Sequence, residues 1–379
     1  MNASSQVLRL IGVGLFLCAT FFHLRVGAVE FGSDVLPIFS EKCFQCHGPD
    51  EKERKGGLRL DTSAGATKDL GGYAAVVPGK PNQSTLIQRI HHSDPDEIMP
   101  PPESELFLDP QEKKILNDWI LSGAVYEQHW AFTVPQKVPL PKAGHPIDAF
   151  VDARLETNSL SFSSPAQADV LCRRLYLDII GLPPSPKQVA AFVSAAKEDR
   201  GKAVKNLTVR LFKDSKFGER WARPWLDVAR YADSNGFEKD LPREQWAWRD
   251  WVIQAINDDK PYNEFLIEQM AGDLLPDRSQ DQLIATGFLR NGMVNEEGAI
   301  IAEQFRLEGV FDRMDCVGKA VLGLSLQCAQ CHTHKFDPIS HDEYYGMFAY
   351  LNDTHEAQSW VYSKEQLDLI ESIQSKVKI

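Results

Sequence analysis

The sequence predicts a mostly α chain built as two units in tandem, and three observations carry that prediction. Apolar residues recur at helical spacing through much of the chain, as in Trp248, Trp251, Val252 and Ala255. Helix-start signals precede several of these stripes, with no run of alternating strands and no fixed-period repeat. The texture also changes near residue 147, from short elements separated by Gly- and Pro-bearing turns to persistent helical patterns. A length of 379 residues suggests two to three folding units at ~150 residues each. Hydrophobic residues at 43% and charged residues at 25% exclude global disorder. The formal charge of -12 gives no overall pull toward nucleic acid or anionic lipid.

Residues 1–28 read as a secretory signal. Arg9 gives a modest positive flank, Leu10 to Phe22 is uncharged and apolar, and Val26-Gly27-Ala28 offers small residues for cleavage. That core is short for a spanning helix, which needs ~20 residues, and no later segment is long and apolar enough. An uncleaved anchor is the alternative, and a lipoprotein reading of Cys18 meets bulky Leu17 where a small residue belongs. The expected location is extracytoplasmic, periplasmic or at the cell surface, with no integral membrane span after cleavage.

Residues 29–126 form the first unit, closed by a helix with Asp109 as N-cap, Pro110 at the first position and Glu112 completing a capping box. Ile115, Leu116, Trp119 and Ile120 make its apolar stripe. Residues 127–146 are a Pro-rich linker. Residues 147–356 are the larger helical unit. Ser164-Pro165 and Ser185-Pro186 are expected helix starts, Trp221, Trp225, Val228 and Ala229 an expected stripe, and Ser340 with Glu343 a further capping box. Residues 357–379 open another helical segment, capped by Ser363 with Leu367 and Ile370 on one face. Its abrupt stop suggests a fragment of a longer polypeptide.

Cys43-Phe44-Gln45-Cys46-His47 is a C-x-x-C-H motif. Two thiols at this spacing can each form a thioether to a haem vinyl group, while the adjacent His ligates the iron. The motif ends a short apolar helix (Val35, Leu36, Phe39), as in small c-type cytochromes, whose first and last helices pack together. Met99, between Ile98 and three prolines, is the expected sixth ligand; His91 and His92 are rivals, and a core gap-filler is the structural alternative. A redox dithiol lacks a thioredoxin-like βαβ pattern, and a zinc site lacks a second Cys pair nearby.

Cys328-Ala329-Gln330-Cys331-His332 repeats the motif, with His334 two residues on and Cys316 twelve before the first thiol. A second haem ligated by His332, another metal and a disulfide or free thiols all stay open. A distal ligand there would be His341, Met347, His355 or a remote residue.

Residues 30–125, through C-F-Q-C-H-G-P, K-G-G-L-R-L-D, V-V-P-G-K-P and Met99-Pro100-Pro101, resemble the planctomycete-type cytochrome c domain. The second unit resembles the uncharacterised domain that accompanies it. Its marks are Arg173–Pro184, Leu226–Asp233, Trp248–Ile253, Ala271–Pro276 and Cys328–Ile339. The resemblance implies a small class I-like cytochrome c domain followed by a larger helical domain, haem c on Cys43, Cys46 and His47 with Met99 axial, and a further C-terminal domain. It implies no substrate.

Weaker signals are weighed against plain structure. Asp233-Ser234-Asn235-Gly236 lacks the full spacing of a calcium loop, and capping or solvated charge explains Asp227, Glu238, Asp240 and Asp250. Trp221, Trp225, Trp246, Trp248 and Trp251 suit core packing better than a sugar platform. His129-Trp130 suits a haem edge or a surface turn equally. No G-x-S-x-G, H-E-x-x-H or phosphate-binding Gly loop is present. The expected function is electron transfer with redox protein partners. The alternatives are a carbohydrate- or protein-interaction module with structural Cys pairs, and an oxidoreductase in which the second unit meets a small substrate.

Overall fold

The computed structural model describes residues 29–51, 53–127, 130–354 and 359–377. The expected signal segment with its expected cleavage site, His129 and His355 lie outside them. Among the described residues there is no strand, only an isolated bridge between Ser234 and Pro242. The chain divides into two compact units between Val134 and Pro135. No helix of the described residues is long and apolar enough to cross a membrane.

In the first unit the helices are α1 (Leu36–Lys42), α2 (Phe44–His47), α3 (Ser63–Ala66), α4 (Thr85–Ile90) and α5 (Pro110–Leu121). A π turn over Phe31–Val35 leads into α1. The core joins the first and last helices: Val35 and Phe39 from the N-terminal side meet Leu116, Trp119 and Ile120 of α5. The Phe39 and Trp119 rings meet edge to face at 5.6 Å, a favoured aromatic geometry. The Asp109–Glu112 capping box forms as expected.

The second unit comprises α6 (Pro146–Thr157), α7 (Ala168–Ile180), α8 (Pro186–Glu198), α9 (Arg200–Phe212), α10 (Lys216–Val228), α11 (Trp246–Asn257), α12 (Tyr262–Ala271), α13 (Gln280–Ala285), α14 (Ala302–Val317), α15 (His341–Asn352) and α16 (Lys364–Val377). Helices α7 to α9 share one core around Tyr176, Phe192 and Leu207. Helices α10 and α11 pack a second, with Trp248 and Phe288. They approach tightly at Gly218, where a Cβ would lie 2.4 Å from the Ile253 carbonyl oxygen, so only glycine admits this contact. A third core sets α15 on α14 through Tyr344 and Leu351.

Two sequence expectations are corrected. Ser164-Pro165 does not start a helix: α7 begins at Ala168, and the segment before it is extended, with Arg200 donating to the Ala166 carbonyl. Helix α10 buries Gly218 and Ala222 rather than Trp221 and Val228, which are exposed; the tight approach to α11 favours the face carrying the smallest side chains. Ser185 and Ser340 both cap their helices with full capping boxes.

Candidate haem site

Cys43, Cys46 and His47 sit where α1 turns into α2. Cys43 is the residue between the two helices, and its carbonyl accepts from the Cys46 and His47 amides at 3.1 and 2.8 Å. One carbonyl thus orders all three donors. Gly48 ends α2 because a Cβ there would lie 2.3 Å from the Phe44 carbonyl oxygen. Short helices leave their last carbonyls without intrahelical partners. Here the K-G-G-L-R-L segment supplies them: the Lys55 amide donates to the Cys46 carbonyl at 2.7 Å and the Leu60 amide to the His47 carbonyl at 2.8 Å. Gly56 and Gly57 make that return possible with φ of 58° and 63°. The Tyr126 hydroxyl then donates to the Leu60 carbonyl at 3.1 Å. Arg54 donates to the carbonyls of Gly48 and Pro49.

The electrostatics suit a haem c donor set. Burial lowers the His47 imidazole below its ordinary value, with the Lys55 and Leu58 carbonyls pulling weakly the other way. Its Nδ1 is buried without a hydrogen-bond partner. A neutral ring with unspent bonding capacity is the form that ligates iron. The Cys43 thiol is pushed up to about 12, first by burial, then by the Glu112 carboxylate and Cys46. Both cysteines are free thiols, and a protonated thiol is poorly nucleophilic and resists adventitious oxidation. Two thiols and a neutral imidazole at one helix end therefore fit covalent haem.

Met99 is half-buried in the segment after α4. Its amide donates to the Arg89 carbonyl at 3.1 Å. Arg89 also donates to the Glu97 carbonyl at 3.0 Å and pairs with the Glu97 carboxylate, so one side chain holds this loop. His91 and His92 are exposed, and His92 Nδ1 accepts from the Asp94 amide. Glu112, Tyr126 and Arg89 all steady this unit yet carry no signal in the motif. Only the capping-box position of Glu112 was visible as structure.

The second motif has a different setting. Cys328, Cys331 and His332 are all exposed, and the two thiols are free. Cys328 lies on a 3-10 turn over Leu326–Gln330, with Cys331 as its C-cap. The His332 Nδ1 lies 2.8 Å from the Thr333 carbonyl oxygen. His334 is buried, and its Nδ1 accepts from the Phe336 and Asp337 amides at 3.2 and 2.8 Å. Among the described residues no group of three or more His, Cys, Asp or Glu is arranged to hold a metal ion.

The remaining sequence candidates resolve into plain structure. The Asp240 carboxylate accepts from the Gly236 amide, and Asp250 pairs with Arg249. Trp248 and Trp251 are buried and Trp225 packs against the same core, so three of the five tryptophans are core residues.

The planctomycete cytochrome C family matches residues 43–103. The family described as a protein of unknown function (DUF1549) matches residues 146–356, more than half of the chain. No curated protein and no solved structure matches the chain. With the motif held at a helix end and the two matches in this order, the chain belongs to the family in which a planctomycete cytochrome c domain is followed by the DUF1549 domain.

Proposed function

We propose that the chain is an exported c-type cytochrome that passes single electrons between redox protein partners. Cys43 and Cys46 would hold haem through thioethers, with His47 and Met99 as the iron's protein ligands. Bound there, it supplies reversible one-electron exchange between ferric and ferrous states. The observation that carries the reading is the neutral, half-buried His47 beside two free thiols, on a helix end whose carbonyls are capped by the Lys55–Leu60 return. The chain's own part is to hold that geometry: Arg89 braces the Met99 loop, and Trp119 ties α5 to the motif helix.

A Met sulfur opposite a His ring favours the reduced iron. Met99→His is therefore expected to lower the midpoint potential of the first-unit haem and shift its Soret spectrum. An unchanged potential and spectrum would remove Met99 from the iron.

A further inference from the structure

The second C-x-x-C-H carries chemistry that the first unit does not use. Side chains three residues apart eclipse on a 3-10 turn, so Cys328 and Cys331 rise from the same side of theirs. A different face of the turn is anchored: Leu326 and Ala329 are buried with Val310, Met314 and Tyr344. The Thr333 carbonyl can only accept, so the His332 Nδ1 facing it carries the proton. That leaves the lone pair on Nε2, the tautomer in which a metal-binding imidazole is held by a backbone carbonyl. His334 is spent as an acceptor for two turn amides, which fixes the exit of the motif.

Helix α15 is tied to this turn. The Tyr345 hydroxyl donates to the Gln330 carbonyl at 3.1 Å, between the two cysteines in sequence. His341, one turn earlier on α15, is half-buried with its ring 4.9 Å from that of Tyr345. Met347 is packed against two cores, which commits its thioether to packing.

We infer that this segment is a second covalent haem site, with His332 Nε2 on one face of the iron and His341 on the other. The inference rests on the reading above that the chain is exported, because it uses the same attachment chemistry. Each thiol adds across one vinyl group: sulfur bonds to the α-carbon, the S–H hydrogen goes to the β-carbon, and the double bond becomes single. Nothing is oxidised and nothing leaves. Two imidazoles give this haem the lower potential of the pair, since a Met ligand raises that of the first.

The test is the chain expressed with periplasmic haem-attachment machinery and counted by pyridine haemochrome, with total iron and zinc. The wild type is expected to carry two haems, C328S/C331S one and C43S/C46S one. The Cys328 and Cys331 side chains are exposed, so far-UV circular dichroism of C328S/C331S should match the wild type. His341→Ala should keep both haems but convert one low-spin electron paramagnetic resonance signal to high spin. His341→Met should raise the lower of the two potentials. One haem in the wild type, unaltered by C328S/C331S, overturns the second site and leaves the first-unit reading standing. A zinc equivalent lost with those cysteines overturns it as well. Two haems with an unaltered signal in His341→Ala overturn His341 as the ligand. No covalent haem, in a host that loads a control cytochrome, overturns both readings.

Discussion

Trp119→Phe tests whether the last helix of the first unit holds the motif helix in place. Trp119 is 1% exposed and touches three rings, Phe31 at 5.7 Å, Phe39 at 5.6 Å and Tyr126 at 5.2 Å. Its Nε1 donates to the Val125 carbonyl at 3.1 Å. Phe keeps one aromatic ring and loses the rest. The missing ring atoms carry about 1 kcal/mol of transfer free energy at ~25 cal/mol/Å². The cavity left behind costs about as much again at ~24 cal/mol/Å³. The lost hydrogen bond adds roughly 0.5–1 kcal/mol, at the low end because Val125 is exposed and its carbonyl can rehydrate. The expected loss is about 2–3 kcal/mol. In urea, with m of about 1–3 kcal/mol/M for a small domain, the midpoint followed at the Soret band should fall by roughly 1–2 M. That band reports the first unit alone if C328S/C331S is the background. Leu121→Ala, on the exposed side of α5, should move it by less than ~0.5 kcal/mol. Equal effects from the two substitutions would refute the claim that Trp119 joins the helices.

Two glycines should respond with opposite signs. Gly218→Ala gains up to ~1 kcal/mol of helix propensity but drives a Cβ toward the Ile253 backbone, an overpacking cost of about 1–3 kcal/mol, so calorimetry should show the second unit destabilised. Gly346→Ala in α15 meets nothing within 4 Å and should stabilise that unit by up to ~1 kcal/mol. Asp109→Ala removes the side-chain half of the α5 capping box, the carboxylate that accepts from the Glu112 amide, and should cost about 0.5–2 kcal/mol in chemical denaturation, with Asp109→Ser recovering most of it. In the haem-free chain the unfolded state binds the extra proton below the ordinary His47 value of 6.5, so stability should fall as pH drops through that point. Above pH 9.0 the unfolded Cys43 thiol ionises while the folded one stays protonated to about 12, so stability should fall again as pH rises. His47→Gln should flatten the acid limb; an unaltered limb in urea titrations at several pH values would show that His47 is not its source.

Much of this architecture was legible because it is written locally. Ser185, Ser340 and Asp109 each carry their capping partner three residues on, and all three boxes form. The stripe of α11 faces inward as its spacing requires. The failures arise where tertiary contact decides. Ser164-Pro165 has the full local form of a helix start, with Gln167 three residues later as Gln188 follows Ser185, yet no box forms there and the helix begins only at Ala168. Trp221 and Val228 lie on the flank of the face that carries Gly218, Ala222, Trp225 and Ala229, and the approach at Gly218 turns that neighbouring face of α10 inward. The candidate haem donors Cys43, Cys46 and His47 stand within five adjacent residues of the sequence. The groups that brace them, Tyr126 on Leu60 and Arg89 on the Met99 loop, are brought in by the fold and have no fixed spacing from the motif.

The two C-x-x-C-H segments separate what a motif specifies from what its surroundings decide. Both supply two thiols and an imidazole in the same order. In the first, the chain returns through Gly56-Gly57 to cap the motif carbonyls, Glu112 lies close to Cys43, and burial holds the imidazole neutral. In the second, no such return follows: His334 closes the turn locally, and both thiols and His332 face solvent. Burial disfavours the charged ferric centre and solvent stabilises it, so exposure acts in the same direction as a second imidazole, toward the lower potential. The difference in burial and the difference in ligand type therefore point the same way. Measured potentials that coincide, with both haems loaded, would mean that neither the solvent nor the ligand distinguishes the sites. That result would contradict the assignment of Met99 and His341 together.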